Sequence, residues 1–134
     1  MGPMYVQTSG FHQSNAFGQP TPIPGLSLTI PEGAGEQALV ILNVPSPYGW
    51  SSGNLQAGAG GWFGISVDGT TLPAIATFTY NAPTPMLGAQ GRVPTTLIVA
   101  VPLALKPQKI VALWLGIGAA SVTIDSPASL SAIL

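Results

Sequence analysis

Hydrophobic and polar positions alternate with a period of two along much of this chain. Leu26, Leu28 and Ile30 are separated by Ser27 and Thr29, and side chains two apart on a strand share a face, so this segment predicts a half-buried strand. Phe63, Ile65 and Val67 alternate with Trp62, Gly64 and Ser66. Ile75, Thr77 and Thr79 alternate in the same way with Ala76, Phe78 and Tyr80. Asp68-Gly69 lies between these two runs and marks a hairpin, because both central residues of such a turn take positive φ. Leu39 to Leu42 is different, a continuous aliphatic run that suits a strand buried on both faces. Pro45 and Pro47 end it, since proline gives the ladder no donor. Tyr48 and Trp50 are therefore expected on a stiff loop at a strand end, where binding surfaces are often built.

Further strands are expected over Thr95–Leu105, with Pro102 marking a bulge or an edge, and over Lys109–Ile117, Ser121–Ile124 and Leu130–Leu134. Pro31–Glu36, the glycine-rich Ser51–Gly61 and Asn81–Gly91 read as loops. Residues 1–21 read as a polar arm carrying Tyr5, Phe11 and Phe17, which packs on something or frays. No stretch holds an apolar period of 3.6. Seven to nine short strands with turn signals about every 10 residues predict an all-β antiparallel sandwich or jelly roll.

Composition narrows the function classes. The 134 residues are expected to form one domain, with the arm at 1–21 and the sandwich at 22–134. Charged residues are 5% of the chain and the net charge is -1, which leaves no footprint for nucleic acid or an anionic lipid surface. Such a chain solves its solubility problem by covering apolar faces with copies of itself or by a neutral polar surface, and self-association is the expectation here. Without cysteine there is no disulfide and no thiolate metal site. The first residues show no basic and apolar secretory pattern. The apolar runs fall short of the ~20 residues a membrane helix needs, so no membrane insertion is expected.

Catalysis has little to work with. His12 is the only histidine and sits in the arm, and its plain reading is a solvent-exposed side chain. Glu32, Glu36, Asp68 and Asp125 are the only carboxylates, too few and too turn-bound for a glycosidase pair or a calcium cage. No enzyme and no cofactor are expected. What remains is a set of polar and aromatic residues at strand ends: Tyr48, Trp50, Trp62, Tyr80, Arg92, Asp125 and Ser126. An aromatic face, an arginine fork and a carboxylate together make a neutral-sugar pocket. Each has a plainer alternative: Arg92 as a surface charge or partner of Asp125, Asp125 as a turn former, and Trp62 and Tyr80 as packing.

The strings IPGLSL, VILNVPSPYG, FTY, GRVPTTLIVAV and TIDSPASLSAI resemble the fucose-binding N-terminal domain of the Burkholderia superlectin family, in order from about Ile23 to the C-terminus. The resemblance implies a tumour-necrosis-factor-like jelly roll, a homotrimer, and metal-independent sugar sites between protomers, with fucosylated or related neutral glycans on cell surfaces as partners. Carried over by position, it implies sugar contacts from Tyr48, Thr79, Tyr80, Arg92, Asp125 and Ser126. A further family tyrosine falls on Trp62 or Phe63, and strand phase favours Trp62, because a one-residue shift turns every side chain to the opposite face. The family's second arginine falls on Gly118, so a charged contact worth about 1.5–3 kcal/mol is expected to be missing. The family's mannose-binding second domain is likewise expected to be absent. The alternative of a different class is a structural trimeric module without sugar binding.

Overall fold

The computed structural model describes residues 4–55, 58–79, 86–90 and 92–134. Among them the chain forms twelve strands and no helix. Strands β1 (Met4–Gln7), β12 (Ser129–Ile133), β4 (Gln37–Val44) and β9 (Thr95–Pro102) make one antiparallel sheet in the order β1-β12-β4-β9. Strands β3 (Thr21–Ile30), β10 (Gln108–Ile117), β6 (Gly60–Val67) and β7 (Thr70–Thr79) make a second, in the order β3-β10-β6-β7. A third, smaller sheet runs β2-β11-β5-β8 through β2 (His12–Gln13), β11 (Ser121–Ile124), β5 (Tyr48–Leu55) and β8 (Met86–Gln90). The antiparallel β-sandwich class is the one the alternation predicts.

The period of two explains the core. Val40, Leu42, Leu97 and Leu130 point inward from the first sheet, and Leu28, Ile30, Phe63, Ile65, Ile110 and Trp114 from the second, and they meet in one buried cluster. Phe63 stacks on Phe78 with ring centroids 6.1 Å apart, so its phase with Ile65 places it in the core as expected. The Asp68-Gly69 hairpin also forms, with φ of 50° and 86°. Pro102 ends β9, an edge strand, where a missing donor costs no ladder bond.

Several expectations need correction. The Leu39–Leu42 strand is buried on one face only: Val40 and Leu42 are enclosed, whereas Leu39 is exposed and Ile41 half-buried. Its run is unbroken because the outward face is apolar too. Tyr48 and Trp50 lie within β5, not on a loop, because β11 supplies them with an antiparallel partner. Ser51–Leu55 and Met86–Gln90 are likewise strand, paired with one another across a register shift. Thr95–Leu105 ends early, at Pro102.

The N-terminal arm is stitched onto the sandwich. Met4–Gln7 pairs with β12, and His12–Gln13 with β11. Ser14 N–H donates to Val122 O at 2.8 Å while Ser14 Oγ accepts from Val122 N–H at 2.8 Å. Thr8 does the same for Ala128, at 2.9 and 3.0 Å. His12, expected in solvent, is half-buried, and its Nε2 lies 2.7 Å from Ser9 O.

Candidate functional site

Three residues 77 positions apart at the extremes gather at one end of the sandwich: Tyr48, Arg92 and Asp125. The turn Pro45-Ser46-Pro47 sets the geometry. Its prolines offer no N–H, so its carbonyls are what need partners. Pro47 O accepts from Val93 N–H at 3.3 Å, and Ser46 O accepts from Arg92 Nη1 at 3.0 Å. This clamp brings the segment after β8 against the start of β5.

Arg92 then forms a two-pronged pair with Asp125, Nη1 to Oδ1 at 2.6 Å and Nη2 to Oδ2 at 2.8 Å. Planar guanidinium and carboxylate match in this parallel fork. The Arg92 guanidinium carbon also lies 4.7 Å from the Tyr48 ring centroid, in a cation–π contact. The hydrogen bond from Arg92 holds the Asp125 carboxyl below the usual carboxylate range, and its positive charge adds to this against an opposing effect of burial. Side-chain exposures of 46% and 34% leave both partners open to a ligand. Ser126 follows Asp125 and is half-buried.

The structure therefore joins Tyr48, Arg92 and Asp125, with Ser126 adjacent, and it realises the Arg92–Asp125 pairing that the sequence left as an alternative. Ser46, which sequence reasoning passed over, belongs to the same cluster, and its position between two prolines was the available signal. Trp62 and Thr79 stand elsewhere, on the β6–β7 pair. Trp62 pairs with Thr77, and Thr79 with Gly60, so the two are diagonal neighbours on the outward face. A methyl group built at Gly64 would fall 2.4 Å from Trp62 Cη2, so the indole lies across that glycine. Tyr80 lies outside the described residues.

Gly118, where the family pattern has an arginine, sits in the β10–β11 turn. Gly118 and Ala119 have φ of 66° and 63°, and Ala120 N–H returns to Ile117 O at 3.4 Å. Any side chain at Gly118 would start 3.0 Å from Ala59 Cα. An arginine there would be strained by the positive φ and would press its Cβ against Ala59.

The all-β sandwich gathers an aromatic, a guanidinium and a carboxylate at one end. The model of the Bc2l-C N-terminal domain family matches residues 3–133, and this chain belongs to that family, the superlectin family its sequence strings resemble. Its members form a class of lectin-like carbohydrate-binding domains and not an enzyme class. Among curated proteins no relative matches the chain. Among solved structures, the crystal structure of dimeric latent PorU from Porphyromonas gingivalis is similar at a TM-score of 0.45 and 13% identity, over 98% of this chain and 12% of that one.

Proposed function

We propose that residues 1–134 form a single lectin domain that binds fucose or fucosylated glycans without metal, at sites between protomers of a homotrimeric, tumour-necrosis-factor-like jelly roll. The observation that carries the sugar site is the Tyr48–Arg92–Asp125 cluster. Arg92 and Asp125 offer fixed donors and acceptors to paired hydroxyls, and the nearby ring offers a surface for the sugar's C–H patch. Side-chain groups make all of these contacts, so the reading requires no ion.

Two further observations support the assembly. The strand orders β1-β12-β4-β9 and β3-β10-β6-β7 interleave early and late strands, as a jelly roll requires. The outward face of the first sheet carries Tyr5, Ser131, Ile41 and Ile98 in one cross-strand row and Ile133, Leu39 and Ala100 in the next. Ile98 is 57% exposed. A following row of Gln7, Ser129, Asn43 and Thr96 is polar and lies toward the site end. A second copy would cover the apolar rows and leave the polar one at the mouth. Trp62 and Thr79 supply the other half of the pocket in this arrangement, since they belong to a different sheet from Tyr48, and the resemblance adds Tyr80 to them.

Saturation-transfer NMR with L-fucose in the presence of EDTA, alongside light scattering, tests the reading. Fucose signals that survive EDTA, together with a trimer mass, are expected. Ile98→Lys should abolish both, because a charge would enter the covered face. A monomer that still binds fucose would overturn the inter-protomer site. The fork between Arg92 and Asp125 also suits the second reading, a structural module in which that pair only braces the turn. In that case the parent protein forms trimers and binds no glycan.

A further inference from the structure

Strand β5 carries a second aromatic beside Tyr48. Tyr48 pairs with Thr123, Gly49 with Val122 and Trp50 with Ser121, an unbroken antiparallel register over three rows. Successive side chains on a strand point to opposite faces. Tyr48 and Trp50 therefore share one face, while Gly49 and the buried Val122 turn to the core. At about 3.3 Å per residue, the two aromatic positions lie roughly 6.6 Å apart along the strand. Gln13 borders the same row, with its Nε2 donating to Thr123 Oγ1 at 3.2 Å.

Trp50 is 39% exposed, on the strand whose other ring is roofed by Arg92. A sugar held by Tyr48, Arg92 and Asp125 places the next ring of an oligosaccharide within reach of this indole. The indole offers a large, stiff π face of the kind that covers the C–H patch of a pyranose. It brings no charge, in keeping with a neutral glycan. We infer that Trp50 forms a second sugar subsite beside the primary one, so that the domain takes a neutral oligosaccharide more tightly than the monosaccharide at its end. This inference rests on the lectin reading above.

Calorimetric titration of the full chain and its Trp50→Ala and Trp50→Phe variants with methyl α-L-fucoside and with a fucosylated trisaccharide tests it. The expected result is that Trp50→Ala loses about three- to tenfold in trisaccharide affinity. Fucoside affinity should stay within about twofold, and Trp50→Phe should keep most of the trisaccharide affinity, because its ring still stacks. If Trp50→Ala fails to fold, Trp50→Thr replaces it, since a β-branched residue suits the strand. Equal losses for the two ligands, or no loss for either, would overturn the subsite and leave the lectin standing. A parent protein that binds neither ligand would overturn the lectin reading and the subsite with it.

Discussion

Replacing Arg92 by alanine removes a fork to Asp125, a hydrogen bond to Ser46 O and a cation–π contact with Tyr48. The magnitudes follow from exposure. With side chains 46% and 34% exposed, the ion pair is screened by water and is worth only about 0.2–1 kcal/mol to the fold. The cation–π contact adds about 0.5–1 kcal/mol at such a site, and the bond to a carbonyl about 1 kcal/mol. The fold should lose about 2 kcal/mol, which lowers Tm by roughly 6–10 °C for a domain of this size. Sugar affinity should fall further, by about 1.5–3 kcal/mol, since a charged donor pair is lost from the pocket. That is roughly ten- to hundredfold in Kd. Arg92→Lys should fall between, because it keeps the charge but not the planar fork. Thermal melts and titration with L-fucose, with the mass checked by light scattering, read the two effects separately. A lowered Tm with unchanged affinity would show that Arg92 only braces the turn, and would refute its place in the pocket.

Other consequences can be checked in the same preparations. Ser14→Ala leaves the enclosed Val122 N–H without its side-chain acceptor, and should cost about 1–3 kcal/mol in a denaturant titration. Gly118→Arg should not rebuild the family's second arginine: φ of 66° and Ala59 Cα at 3.0 Å should cost about 1–3 kcal/mol in strain, with no gain in fucose affinity. The Asp125 pKa lies below 3.8 in the fold, so between the folded and unfolded values the unfolded chain binds the extra proton. The stabilisation is therefore complete well above 3.8 and is lost as pH falls through the lower folded value. The Tm gap between the parent and Asp125→Asn should hold above about pH 5 and close in more acid solution.

How much of this could be read from the sequence depended on the kind of signal. Phe63 went to the core and Trp62 outward because strand phase is strictly local, and Asp68-Gly69 turned because two positive φ values suit few other pairs. Leu39 and Ile41 misled because a strand whose outward face is also apolar reads like one buried on both faces. The strand at Ser51–Leu55 was hidden by serine and glycine, and its pairing comes from β8, distant in sequence. The arm looked detachable because its anchors are hydroxyls, Thr8 and Ser14, bonding backbone more than 100 residues away. Arg92 and Asp125 are 33 residues apart, and nothing in local pattern says whether such a pair meets. The Pro-Ser-Pro turn helps to hold Arg92 in place, its Ser46 and Pro47 carbonyls accepting from Arg92 Nη1 and Val93 N–H.

The measurement that bears most directly on the central claim is calorimetric titration of the intact protein with L-fucose, without added calcium. Binding at millimolar affinity or tighter is the expected result, even with Gly118 in place of a second arginine. A folded, trimeric protein that releases no heat with L-fucose would contradict it.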